Sequence, residues 1–414
     1  MSLLDSPATK HTLAPLKATS LPSEAYVISI VSLPSFYALS ASSPDNAIHL
    51  FDKSRLDRVR TIAGHEAGIT CLRSASNFAG STSPILLSSG KDGVIKAWDG
   101  RDPGNSPIMT ALTGLRPHAL LSCDISVDGT VIAAGTELQG DDASLLYWDP
   151  RSPAAPLRIH SSTHSDDITA VHFSRTSPRH LLSGSSDGLL CTSNADEADE
   201  DEAGLHVGNW GCGIAQAGWI HTRAGPPGIW ASSDMETFSV WSGELDLVQD
   251  TDIRKPSIHR DDEFTWVTDY YIGAHNYHTV PQGLDNDLSM FVGSNEGDVA
   301  LLTRSTLKDP NAPWVLSHSW QKGHVGVVRS VLWDEEVTSQ ILIRVIRITQ
   351  MRSQNNILLT GGEDSRLNAW SGPSASRFFL GNDELSSHSS MEHDDPMDID
   401  DSADGPTRKR RRSG

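Results

Sequence analysis

Residues 64–69 and 85–99 run Gly64-His65-Glu66-Ala67-Gly68-Ile69 and Ile85-Leu86-Leu87-Ser88-Ser89-Gly90-Lys91-Asp92-Gly93-Val94-Ile95-Lys96-Ala97-Trp98-Asp99. Two short apolar runs flank Lys91-Asp92-Gly93, a turn in which glycine adopts a left-handed conformation at little steric cost, so the stretch predicts two antiparallel strands. The run Gly68–Ser74 predicts a third strand before them. From the turn acid to the closing aromatic, Asp92 to Trp98, is six residues, and the same interval returns from Asp187 to Ser193 and from Asp364 to Trp370. Such constancy marks a strand of fixed length.

Working outward, a strand-closing pair recurs along the whole chain as Phe51-Asp52, Trp98-Asp99, Trp148-Asp149, a degenerate Ser193, Trp241-Ser242, a degenerate Leu302 and Trp370-Ser371. Self-similarity at about 40–50 residues is the mark of a β-propeller, in which each repeat supplies one four-stranded blade. The fold expected is therefore all-β, a seven-bladed propeller over residues 25–380 of this 414-residue chain, with an acidic, disordered C-terminal tail over 381–414. Residues 1–24 form an N-terminal segment, and His11–Leu21 within it is expected to supply the outer strand of the last blade and so lock the ring.

These residues resemble the WD-repeat (WD40) family over Ala25 to Leu380, and full repeats of that family carry a hydrogen-bonded chain of His, Ser or Thr, Asp and Trp. The resemblance assigns that chain to His65, Ser88, Asp92 and Trp98, and again to His324, Thr360, Asp364 and Trp370. A third set has His164, Ser183 and Asp187, but Ser193 stands where the Trp would be. A buried imidazole, hydroxyl and carboxylate are costly alone and tolerable as a connected set, so these residues are expected to be structural. One eukaryotic branch of the family is matched further by Gly135-Thr136-Glu137, Trp148-Asp149-Pro150-Arg151, Thr163-His164-Ser165-Asp166-Asp167 and Leu358–Asp364.

Composition narrows the function. A net charge of −20 argues against direct nucleic-acid binding, which clustered Lys and Arg drive by releasing counterions. Cys71, Cys123, Cys191 and Cys212 are far apart in sequence with no CxxC pair, and read as reduced interior thiols. No apolar run suits a signal peptide or a membrane span, so a nuclear and cytoplasmic protein without membrane contact is expected. No phosphate-cradling loop, nucleophile elbow or zinc-protease motif is present, which points away from an enzyme and from any cofactor.

Three segments depart from the repeat. Asn194–Ala203, NADEADEDEA, is a charge run expected on a solvated loop after the fourth blade. The interval 337–354 interrupts the seventh blade: His324 to Asp364 spans 40 residues against 23 for His164 to Asp187, and removing 18 leaves 22. It reads as an insertion, either a translated intron, since every Val codon begins GT, Gln can be encoded CAG and 18 codons keep the frame, or a genuine hairpin insertion of the kind loops tolerate. The tail ends in Arg408-Lys409-Arg410-Arg411-Arg412, a compact basic run expected to be a nuclear localisation signal read by an importin. Ser386, Ser387, Ser389 and Ser390 before it suit an acidophilic kinase.

Candidate sites are few. His275 and His278 lack further ligands at metal spacing and are expected as a loop pair at the edge of the sixth blade, with Trp266, Tyr270 and Tyr271 alternating on one strand. Arg101 and Arg151 each follow a Trp-Asp by two residues. These WDxR motifs resemble the box of propellers that serve as substrate receptors of cullin-RING ubiquitin ligases, where the arginine faces the adaptor. The function expected is a non-catalytic protein-interaction scaffold in a nuclear complex, such as one of ribosome biogenesis, with the ligase receptor as the alternative.

Overall fold

The computed structural model describes residues 3–373 apart from 103, 115, 116, 142, 224, 256, 261–263, 279–283, 308 and 336–355. Among the described residues, six units of four consecutive antiparallel strands follow one another along the chain, and a seventh joins three consecutive strands to one from the N-terminus. Blade 2 shows the pattern: Ile69–Ala75, Ile85–Gly90, Val94–Asp99 and Met109–Leu112 run from the inside to the rim. The first strands begin at Val27, Ile69, Leu120, Ile168, Ile214, Tyr270 and Val328 in blades 1 to 7. In every blade the register against the second strand slips near the start of this innermost strand, as between Ile69 and Cys71 or Ile168 and Ala170. Such a bulge sharpens the local twist.

Hydroxyls beside these bulges bridge neighbouring blades. Thr70 donates to the Leu120 carbonyl at 2.6 Å, Ser122 to Ile168 at 2.8 Å, Thr169 to Ile214 at 2.6 Å and Ser330 to Val27 at 3.1 Å. The apolar core is divided in the same way, into seven clusters that each fill one junction between consecutive blades. Burying both faces of every sheet against a neighbour is what allows such short strands to be stable, because no blade has a core of its own.

The ring closes through the N-terminus. Lys17–Ser20 lies antiparallel on Arg366–Ser371 as the outer strand of blade 7, while Val27 and Leu39 pack against Leu359 and Leu367 across the seam. Lys53 of blade 1 and Asp334 of blade 7 add a largely buried ion pair at 2.7 Å. The strand is shorter than the His11–Leu21 segment anticipated from the sequence. His11 and Thr12 belong to a preceding strand, Leu3–Thr12, which runs parallel to Trp314–Trp320 as a fifth strand on blade 6.

Two further expectations need correction. Trp266 and Tyr270 do not share a strand: Ser257–Arg260 and Phe264–Val267 form a separate hairpin, and the innermost strand of blade 6 starts at Tyr270. The acidic run 194–203 lies inside blade 4, between its third and outer strands, and it is solvated in part: Asp196, Ala198, Asp199, Asp201 and Glu202 are exposed, whereas Ala195 and Ala203 are buried. Glu200–Ala203 is one helical turn whose Ala203 is buried, and the Glu200 carboxylate accepts from the Ser161 and Ser162 amides at 2.9 Å and from the Thr163 hydroxyl. A carboxylate that receives three donors from blade 3 is held there by charge-assisted bonds, which charge density alone did not foretell for Glu200.

The interval 337–354 and the tail from 374 onward, with Ser386–Ser390 and Arg408–Arg412, lie outside the described residues. On either side of the interval, Val328–Asp334 pairs with Ile357–Gly362 so that Asp334 sits opposite Ile357.

Candidate functional site

The two ends of the propeller differ. One carries the turns between second and third strands and the entries to each blade, and there the three His-centred sets assemble. In blade 2, His65 Nδ1 meets Asp92 Oδ1 at 2.9 Å, His65 Nε2 meets Ser88 Oγ at 2.8 Å, and Trp98 Nε1 donates to Ser88 Oγ at 2.9 Å. In blade 7, His324 meets Asp364 at 3.0 Å and Thr360 at 2.8 Å, and Trp370 donates to Thr360 at 2.9 Å. In blade 4, His164 meets Ser183 at 2.8 Å and Asp187 at 3.3 Å.

Each of these carboxylates also accepts the amide after its histidine, at 3.1 Å from Glu66, 2.9 Å from Ser165 and 3.0 Å from Val325. Burial pushes Asp187 up, but the bonds from His164, Leu189 and Ser165 outweigh it and hold the carboxyl down at about 2. All three imidazole side chains are shielded from solvent. In blades 2 and 7 the hydroxyl is held between imidazole and indole, whereas Ser183 of blade 4 is held by the imidazole.

Further polar sets escaped the sequence reading. In blade 1, buried His49 bridges Asp45 and Thr61 at 3.0 Å each, although no Gly-His precedes that blade. In blade 5, Trp241 donates to Ser239 at 2.8 Å, and in blade 6 Ser289 donates to the Tyr277 phenol at 2.8 Å. These contacts do not repeat the His–hydroxyl–Asp set in place: His49 and Ser239 lie on third strands and Ser289 near the start of a second strand.

His275 lies on the innermost strand of blade 6 rather than on an edge loop, because its ring stacks on Trp333 of blade 7 at 4.7 Å. Its Nε2 contacts Glu335 Oε1 at 2.7 Å, and the His278 amide donates to the same oxygen. The pair therefore binds blade 7 to blade 6. Among the described residues no group of three or more His, Cys, Asp or Glu is placed to hold a metal ion.

The opposite end carries the turns that follow each third strand, and with them Arg101 and Arg151. Arg101 Nε and Nη2 donate to Asp99 at 3.0 and 2.8 Å, and Arg151 Nε and Nη2 donate to Asp149 at 2.9 and 2.7 Å. The arginine bonds draw both aspartates below the usual carboxylate range. The two arginine side chains keep 63% and 64% exposure, so each is aimed by its own Trp-Asp and still open to a partner. Blade 1 steadies the first turn, since Arg60 donates to the Asp102 carbonyl. Arg254 also reaches Asp252, through a single Nε contact at 3.4 Å, but at the end of an outer strand and hence on the other face.

The comparisons with known proteins agree with this architecture. A family model described as WD domain, G-beta repeat matches residues 56–99 and 156–191. The chain is 27% identical over 356 residues to the WD repeat-containing protein GTS1 of Arabidopsis thaliana, covering 83% of this chain and 81% of that one. It is 23% identical over 369 residues to the WD repeat-containing protein 89 homolog of Dictyostelium discoideum, covering 88% of each, and this is the branch that the sequence segments matched. Over 151 residues, 35% of this chain and 36% of the relative, it is 30% identical to nucleoporin Nup43 of Homo sapiens. Among solved structures, the computationally designed Ika8 protein superposes with a TM-score of 0.54 at 14% identity, covering 88% of this chain and 100% of that one, a likeness of fold alone. The chain carries matches to the WD repeat at residues 56–99 and 156–191 and folds as a seven-bladed β-propeller.

Proposed function

We propose that this propeller is a non-catalytic scaffold of a nuclear protein complex, and that the face bearing Arg101 and Arg151 is a docking surface. The observation that carries the reading is the pair of exposed guanidinium groups held in one geometry on consecutive blades. A planar donor already oriented by a carboxylate loses little freedom when it meets a carbonyl or carboxylate of a partner. WD-repeat propellers generally bind other proteins, and the likeness to a nucleoporin supports a nuclear setting together with the basic run Arg408–Arg412.

A second reading, substrate receptor of a cullin-RING ubiquitin ligase, is favoured by the same two motifs, Trp98-Asp99-Gly100-Arg101 and Trp148-Asp149-Pro150-Arg151. The geometry at Arg254 weighs against it, because Asp-x-Arg pairing also forms on the other face as ordinary turn chemistry. Affinity purification of the tagged chain beside its Arg101→Ala/Arg151→Ala variant separates the two. A nuclear assembly retained by both forms supports the scaffold and removes the arginines from the interface; an adaptor of a cullin-RING ligase recovered with the wild type alone establishes the receptor. A scaffold that docks through this face loses its assembly in the variant and yields no ligase adaptor.

A further inference from the structure

The innermost strands of blades 2 and 3 bring together two cysteines that are 52 positions apart. Cys71 follows the bulge of Ile69–Ala75 and is partly buried, whereas Cys123 on Leu120–Ile125 is fully buried. The Cys71 thiol donates to the Cys123 carbonyl at 3.4 Å, which brings the two residues together across the junction. Thr70, the preceding residue, ties the same two strands by its bond to the Leu120 carbonyl at 2.6 Å, so the cysteines sit across a rigid junction.

The surroundings distinguish the two sulfurs. On the same face of the strand as Cys71, Arg73 donates to His172 Nε2 at 3.0 Å, and its Nε has no partner of its own. Asp124 accepts the Phe173 amide at 2.8 Å nearby. The bond from Cys123, helped against burial by the Arg73 guanidinium, draws the Cys71 thiol down to about 6, while Cys123 is pushed up as the partner that keeps the proton. Neither of the remaining cysteines has such a neighbour: burial pushes Cys191 up to about 12 and also raises Cys212.

We propose that Cys71 and Cys123 are an oxidation site, a dithiol that hydroperoxides convert to a disulfide joining blades 2 and 3. The Cys71 thiolate attacks the O–O bond of the peroxide; an S–O bond forms, the O–O bond breaks, and the leaving oxygen takes a proton and departs as water or an alcohol. Cys123 then attacks the Cys71 sulfenic sulfur; the S–S bond forms, the S–O bond breaks, and hydroxide leaves with the Cys123 proton as water. Two electrons pass from the sulfurs to the peroxide, and no other reagent is needed. Partial exposure admits the oxidant to Cys71, and burial reserves Cys123 for the second step.

The test treats the native chain with equimolar hydrogen peroxide, alkylates it after denaturation and maps the peptides by mass spectrometry. The expected result is a linked Cys71–Cys123 peptide with Cys191 and Cys212 still alkylated. Cys123→Ser should stop at a Cys71 sulfenic acid that dimedone traps, and Cys71→Ser should leave Cys123 unmodified. Oxidation of Cys212 ahead of Cys71, or a Cys71 sulfinic acid without the linked peptide, overturns the proposal. The wild-type map decides alone if either variant fails to fold.

Discussion

Blades 2 and 4 hold the same histidine, hydroxyl and aspartate, yet they close differently. In blade 2 the set ends on Trp98, packed against Leu50 of blade 1; in blade 4 the position is Ser193, and the bulk comes from Tyr147 of blade 3. Leu50 and Tyr147 occupy equivalent places in their strands, and blade 7 repeats the first arrangement with Trp370 beside Leu301. Tyr147 is steadied by His160 edge-on at 5.0 Å and by Arg158 over its face at 5.3 Å. The junction therefore conserves volume rather than identity: a large side chain from one blade meets a small one from the next.

A second difference lies at the end of the second strand. Blades 2 and 7 have Gly90 and Gly362, where a Cβ would come within 2.6 and 2.7 Å of the histidine Nδ1. Blade 4 has Ser185 there, and its His164–Asp187 contact is 3.3 Å instead of the 2.9 Å of blade 2 and 3.0 Å of blade 7. The glycine is thus selected by the tightness of the His–Asp pair.

The strongest way to break the comparison is Trp98→Ala, which should cost about 3–5 kcal/mol by opening a cavity and removing the indole donor from Ser88. A denaturant midpoint unchanged from wild type would show that the junction does not depend on the ring. Ser193→Trp should destabilise blade 4 by about 1–3 kcal/mol through overpacking, and adding Tyr147→Leu should recover most of that loss. Strict additivity in this double-mutant cycle would refute the volume argument.

The carboxylate sets a pH dependence. The folded value of Asp187, about 2, lies below its ordinary 3.8, so the unfolded chain binds a proton that the folded one refuses. Its stabilisation, roughly 2 kcal/mol, is present above about pH 4 and is lost as the pH falls through 2. Asp187→Asn should flatten that limb of a melting-temperature profile. Next in size, Gly90→Ala should cost about 1 kcal/mol by pressing on His65, whereas Ser185→Gly should let the His164 contact shorten. Ser185→Gly without an upfield or downfield shift of the His164 ring signals would separate distance from residue type. The smallest effect belongs to Arg101→Ala with Arg151→Ala, for which the melting temperature should stay at the wild-type value because both side chains lie on the surface.

Legibility followed the range of the interaction. The blade count, the turns at Asp92, Asp187 and Asp364 and the His–hydroxyl–Asp sets could be read because each depends on residues of one repeat at constant spacing. The fifth strand on blade 6 could not, since Leu3–Thr12 meets Trp314–Trp320 some 300 positions away and has no repeat to announce it. Glu200 misled for the same reason: its donors Ser161, Ser162 and Thr163 belong to another blade. Arg101 and Arg151 were visible as motifs, but their pairing with Asp99 and Asp149 was not, and neither was the meeting of Cys71 with Cys123.

By itself, then, the sequence determined the repeat, the strand lengths and the polar set that holds each regular turn, because those are local choices made again in every blade. The tertiary structure decided which blade supplies the bulk at each junction, which N-terminal strand closes the ring and which titratable groups face one another. Those choices depend on contacts between blades, where burial and volume are shared by residues that no local pattern relates.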